Sequence, residues 1–298
     1  MNQLDPIIPV NTNMQLDEAI SIATHWEGTL GTSSEGKAQK AFEALRRGKF
    51  EIKDPHSYTR YLNINTFKEL KQQLSPYVVA TLSASDGYKV YLIGVPVLLF
   101  PGRGAQYRRV GCHCTFSTAD KKDHQPAVHA VFPESRWNAV LALGGEMELA
   151  ADANLDFGVE IPQLPEELQK LLPKLVPELK GRVATKGHLK TFVKLLSFQF
   201  DLGRMEITAQ GAGDNAIWYL DSKTAIRAQK HMQFISVVKV PQTIERIKLD
   251  VAAEAQVSYD WLIPQIQHIW EKLKHILDRP KALALQDFKT WTLELPKS

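Results

Sequence analysis

MELAADANLDFGVEI, residues 147–161, puts an apolar side chain at every odd position from Met147 to Ile161. The even positions hold Glu148, Asp152, Asn154, Asp156 and Glu160 or small residues. Successive side chains of a strand point to opposite faces, so this period of two predicts one long β-strand with a greasy face and an acidic face. The pattern speaks to architecture and carries no chemistry of its own.

The same period recurs on both sides. Residues 77–83 and 88–100 are rich in Val, Leu and Tyr and flank Ser85, Asp86 and Gly87, a hairpin-turn composition. Pro101, Gly102 and Gly104 make a second turn, beyond which Val110, Cys112, Cys114 and Phe116 alternate with Gly111, His113, Thr115 and Ser117. A similar unit of strand, proline turn and strand comes late. Residues 234–240 lead through Pro241 into Ile247, Leu249, Val251, Ala253, Ala255 and Val257, interleaved with Lys248, Asp250, Glu254 and Gln256. The likeness raises the idea of two related halves, although the two units share little sequence identity. Phe198, Phe200 and Leu202 hold one phase up to Gly203, and Met205, Ile207 and Ala209 hold the other, the phase change a β-bulge produces beside a glycine.

Helical spacing governs the two ends. Residues 16–26, 35–47 and 66–74 read as helices, the last behind Asn65 as N-cap and stopped by Pro76. Leu262, Ile263, Ile266, Ile269, Trp270, Leu273, Ile276 and Leu277 fall on one face of a single helix that ends at 278–280, with a short strand at 290–295. Strands do not alternate with crossover helices. The expected fold is therefore α+β: a predominantly antiparallel β sandwich or curved sheet with packed helices, an N-terminal helical region and a C-terminal amphipathic helix. The expected organisation is a mainly helical region 1–76, a β-rich core 77–260 with a basic amphipathic insert 162–196, and a closing helix and strand 261–298, within one domain or several.

With 298 residues, 44% apolar and 23% charged, the chain can bury a sizeable core. No segment has the uninterrupted apolar length of a membrane-spanning helix, and the opening MNQLDPIIPV lacks a basic, cleavable leader pattern. With only two cysteines, one residue apart, a disulfide framework is not expected either. These readings together predict a cytoplasmic protein. The net charge of +3 does not imply nucleic acid, but its distribution is uneven. Between residues 168 and 196, Lys170, Lys174, Lys180, Arg182, Lys186, Lys190 and Lys194 face Glu178 alone, a local +6 that leaves the rest of the chain at −3. Pro173 and Pro177 forbid one continuous helix there. These basic residues are the candidate surface for a membrane or a partner. They have an alternative use, docking over the acidic face of residues 147–161 in the same molecule.

Cys112, Cys114, His124 and His129 are the candidate metal ligands, since no other cluster has the right residue types. His113 points away from the cysteines on a strand and cannot serve them as ligand or base, and two buried cysteines also pack well as small hydrophobes. The stretches PGRGA (101–105) and QGAGD (210–214) lack the strand-to-helix setting of a phosphate loop and read as turns. Trp218 and Tyr219, just after a glycine turn, are candidates for ligand contact, with core packing as the plainer use. No cofactor and no catalytic set is expected. The leading expectation is a non-enzymatic protein-interaction or regulatory module with the basic insert as a switch. The alternatives are a membrane-active effector of pore-forming type, kept soluble until its insert is released, and an enzyme or metal site around Cys112, His124 and His129. A protein partner is expected, an anionic membrane surface is the alternative partner, and nucleic acid is not expected.

Overall fold

The computed structural model describes residues 7, 12–30, 36–62, 87–118, 125–135, 205–277 and 283–297, together with short pieces at 149–150, 156–157, 159–160, 183–184, 194–195 and 198–199. Two helices open it, α1 (Thr12–Leu30) and α2 (Lys37–Arg46), followed by β1 (Lys49–Ile52), β2 (Thr59–Leu62), β3 (Tyr88–Phe100), β4 (Tyr107–Ser117) and β5 (Ala127–Phe132). The chain continues with β6 (Met205–Ala212), β7 (Asn215–Ile226), β8 (Lys230–Pro241) and β9 (Arg246–Val257), then α3 (Tyr259–Ile266), α4 (Trp270–Leu277) and β10 (Leu285–Glu294).

The strands form two antiparallel five-stranded sheets, packed as the α+β sandwich that the alternation implied. The first runs β1-β3-β8-β5, with β2 also pairing β3, and the second runs β6-β7-β4-β9-β10. Val110, Cys112, Cys114 and Phe116 of β4 are fully buried, whereas Arg109, His113, Thr115 and Ser117 between them are half-buried. β9 alternates likewise, with Leu249, Val251, Ala253 and Ala255 inward. Facing side chains from the two sheets meet in the middle, where the Trp218 and Phe234 ring centroids lie 5.3 Å apart and both residues are fully buried. Each such side chain contributes about 1.5–3 kcal/mol by leaving water. Phe42 and Leu45 of α2, Leu262 and Ile266 of α3 and Leu273 of α4 belong to the same core cluster.

Three local readings are corrected. The proline turns are not hairpins, because β3 and β4 lie in opposite sheets, as do β8 and β9. Each proline marks a corner at which the chain crosses the sandwich. The two crossing units pair with each other: β3 lies antiparallel to β8 from Tyr88↔Pro241 to Leu99↔Lys230, and β4 antiparallel to β9 from Ser117↔Lys248 to Tyr107↔Val257. The two corners therefore sit at opposite ends. At the first, Gly102 is pressed so close to α2 that a Cβ would stand 1.9 Å from the Ala44 carbonyl oxygen.

The C-terminal helix is two helices, α3 and α4, joined by a 3-10 turn at Gln267–Ile269. The break follows Pro264, which has no N–H to donate and whose ring crowds the carbonyl four residues back. Finally, Leu149–Ala150 pairs antiparallel with Asp156–Phe157, so the 147–161 segment doubles back instead of running as one strand. Alternation is compatible with either course, because both arms of a hairpin keep a period of two. The predicted helix at 66–74, the strand at 77–83 and the bulge at Gly203 lie outside the described residues.

Candidate functional site

The two sheets are stitched together along both long edges. On one side, Ile52 N of β1 donates to Asp287 Oδ2 of β10 at 2.8 Å, and Lys289 Nζ of β10 donates to the Ile52 carbonyl at 2.7 Å. On the other side β5, the edge of the first sheet, meets β6, the edge of the second. Gly211 of β6 has no side chain because none fits: a Cβ there would lie 2.7 Å from Val128 Cγ1 and 2.8 Å from Val131 Cγ1. Val128 N donates to the Gly213 carbonyl at 2.6 Å. Just beyond β5, Ser135 Oγ accepts from Ala209 N at 2.8 Å and donates back to the Ala209 carbonyl at 3.4 Å.

The described residues on either side of 136–204 meet at this seam. The departing strand end at Phe132–Ser135 and the returning strand at Met205–Ala212 are side by side, held by hydrogen bonds and by a glycine that lets the backbones close up. On β6 the alternation is real: Met205 and Ile207 are buried in the core while Glu206 and Thr208 face solvent. Val128 and Val131, three residues apart, would face opposite ways on a regular strand; the register shift between Val237↔Ala130 and Val238↔Val128 turns both toward β6, and Gly211 supplies the close approach.

The basic candidates Lys170, Lys174, Lys180, Arg182, Lys186 and Lys190 lie outside the described residues. Lys194 falls in the two-residue strand Lys194–Leu195, which pairs with Phe198–Gln199. All of them belong to the 136–204 excursion whose ends the seam holds. Cys112 and Cys114 share a face, as expected, and that face is the core: both are fully buried, and burial followed by the neighbouring Cys114 thiol pushes the Cys112 thiol well above its ordinary range. Such a thiol is a poor nucleophile and gives up its proton reluctantly to a metal. His113 points to the opposite face, with Nε2 2.9 Å from Asn215 Oδ1. His129 is on β5, in the other sheet, its pKa lowered by burial and then by Lys239. His124 lies outside the described residues. Among those described, no three metal-ligating side chains converge.

PGRGA forms the first corner; of QGAGD, Gln210, Gly211 and Ala212 end β6 and only Gly213 and Asp214 make the β6–β7 turn, and neither stretch stands at a helix N-terminus. Trp218 is a core residue, and Tyr219, nearly buried on the outer face, lies under the Arg109 guanidinium and beside Ile7. Sequence reading passed over Ser135 and took Gly211 for part of a turn. A lone serine after a strand and a glycine within one are weak signals without the strand order.

No family model matches the chain, and no curated protein sequence matches it. Among solved structures it is similar to one titled "Pore forming protein", at 5% identity over 83% of this chain and 90% of that one, TM-score 0.33. It is also similar to Clostridium perfringens delta-toxin, at 6% identity over 57% of this chain and 74% of that one, TM-score 0.25. Among the described residues no helix is long and apolar enough to cross a membrane.

Proposed function

We propose that this protein is a membrane-active effector in which the β-sandwich is a rigid base and residues 136–204 are the inserting element. The observation that carries this reading is the seam: the excursion begins and ends at two adjacent strands, tied by the Ser135–Ala209 hydrogen bonds. A hairpin that is to lengthen into a bilayer needs its two arms to rise from neighbouring roots. The sequence beyond the roots supplies alternating material: residues 147–161 keep one apolar face over fifteen positions but double back here, so insertion would straighten them to reach the length of a membrane β-strand, about 9–11 residues. The seven basic residues draw the insert to an anionic surface, each contributing about 1 kcal/mol close to the lipid.

Co-flotation with anionic and neutral liposomes tests the proposal, using intact chain and chain nicked by limited proteolysis between residues 173 and 188. Selective flotation of the nicked form together with dye release is the expected result. If neither form floats or releases dye, the membrane reading fails. Replacing Lys186, Lys190 and Lys194 with glutamine should weaken binding to anionic vesicles and leave the behaviour on neutral ones unchanged.

A second reading, a protein-interaction module, is supported by β10. It closes the second sheet with Phe288 exposed, beside an outer edge that Ile52 and His56 already engage. A partner would therefore cover the Phe288 side chain, not add a strand. Recovery of one stoichiometric partner that is lost in Phe288→Lys would favour this reading.

A further inference from the structure

Ile7, shortly before α1, is 5% exposed, yet it does not belong to the core between the sheets. It packs with Ile217, Tyr219 and Ala252 in a separate cluster on the outer face of the second sheet. Trp218 and Leu220, which alternate with the two β7 residues, point the other way into the core. The floor beneath Ile7 is Gly111 of β4. A Cβ there would stand 3.0 Å from Ile7 Cδ1 and 2.9 Å from Tyr219 Cε1, so the missing side chain leaves a hollow that one aliphatic group fills.

Strand register extends this hollow into a strip. Ile217 of β7, His113 of β4, Ala252 of β9 and Phe288 of β10 are paired in one row across the sheet, and directly paired residues share a face. The row steps about 5 Å from strand to strand. Exposed Phe288 therefore lies one strand beyond Ala252, where the Ile7 cluster ends. The charged groups beside the hollow are already engaged. Arg109 donates twice to Asp221, and the buried Glu254 carboxylate, paired across from Gly111, accepts from Gln256 and Gln286. The surface thus selects an apolar side chain and not a charge.

We propose that this strip is a docking surface for a proline-flanked aliphatic segment of a partner protein, with the chain's own Ile7 as the resident competitor. The inference deepens the interaction-module reading and rests on it for the partner. Residues 5–10 read DPIIPV, and the prolines at 6 and 9 remove two of the four N–H groups of positions 6–9. A segment of this composition is poor at strand addition and is held by its side chains, which suits a sheet face and not an edge. A partner segment of the same kind fills the same hollow and reaches on to Phe288, which Ile7 leaves uncovered. Tethering favours the resident through its effective concentration; the added contact with Phe288 favours the partner.

The probe is an acetylated peptide of residues 2–12, titrated into the full chain and followed by NMR at the Gly111 amide and the His113 ring. Saturable binding is expected in Ile7→Asp, whose carboxylate does not stay in the hollow. Binding to the parent should be weaker by about tenfold or more, because the tethered segment competes. Ile7→Leu should behave like the parent, and a peptide carrying the same Ile7→Asp change should bind neither chain. Ile7 lies outside the core, so its replacement leaves the sandwich intact. No shift in Ile7→Asp, equal binding by Ile7→Asp and the parent, or binding that the altered peptide retains overturns the proposal. Dimerisation of the parent that Ile7→Asp abolishes would make the occupant a second copy exchanging its N-terminal segment, and overturns it too. Phe288→Lys, which tests the interaction-module reading by partner recovery, leaves the hollow untouched, so the two readings fail separately.

Discussion

Gly211→Ala is the sharpest probe of the seam. The new methyl would stand 2.7 and 2.8 Å from the Val128 and Val131 Cγ1 atoms, well inside the roughly 3.5–4.0 Å at which carbon atoms attract. Both valines are 8% exposed and β-branched, so neither has a free rotamer to move into. β5 and β6 must therefore separate by about 1 Å to restore contact distance. Overpacking of this kind costs about 1–3 kcal/mol. Removing glycine's freedom in the unfolded chain returns about 0.4–1 kcal/mol. The net loss is about 1–2 kcal/mol, or about 2–3 °C in Tm for a chain of this size. Thermal unfolding followed by circular dichroism measures it. Val128→Ala combined with Gly211→Ala makes room for the methyl, so the pair should be more stable than the sum of the single changes by about 1 kcal/mol. On vesicles, Gly211→Ala alone should release dye at a lower protease dose than the parent. A Gly211→Ala protein with the parent's Tm, or a strictly additive pair, would refute the close contact and with it the clamp.

Other expectations follow from particular contacts. Arg109 donates to Asp221 through Nε at 2.7 Å and Nη2 at 2.9 Å and lies 5.3 Å above the Tyr219 ring, so Arg109→Lys, which cannot make the paired contact, should cost about 1 kcal/mol in urea unfolding; no change would place the pair among inert surface contacts. The hydrogen bond to Asp54 raises the pKa of His56 above its ordinary 6.5, against a smaller lowering by burial. Its stabilising share is therefore complete below about 6.5 and is lost as pH rises through the raised folded value. In an NMR titration Asp54→Asn should bring His56 back toward 6.5, and an unmoved curve would remove Asp54 as the cause. Cys112 and Cys114 should resist thiol reagents at neutral pH until the protein unfolds, with labelling that tracks global opening; fast labelling of the native protein would contradict their burial. Trp218→Phe should cost less than Trp218→Ala by about 1–2 kcal/mol, because Phe fills most of the site and discards an indole N–H that is buried without a partner. Equal melting temperatures for the two would argue against tight packing on Phe234.

Much of the sandwich was legible one strand at a time. The Tyr88–Phe100 strand follows from its Val-, Leu- and Tyr-rich run, buried on both faces from Val90 to Val97, and the inward set Val110, Cys112, Cys114 and Phe116 follows from a period of two, because one buried face imposes it. What alternation does not encode is the neighbour. Pro101 and Pro241 announce a change of direction, and a hairpin and a sheet-crossing corner need the same residues there. Residues 147–161 show the same limit, since a hairpin's arms alternate as well as a single strand does. The seam was hidden for a related reason. Ser135 and Ala209 come together only through strand order. No local pattern records it.

The clamped roots also change the kinetics expected of the excursion. If the two arms had to find each other from a free chain, closing a loop spanning residues 136–204 would cost on the order of 4 kcal/mol of entropy before any pairing was gained. Here that search is finished in the folded base. Pairing is then able to grow outward from the seam like a zipper, each added rung closing only a minimal loop. Under the proposed membrane reading, the slow step is the release of the insert, not the formation of the hairpin.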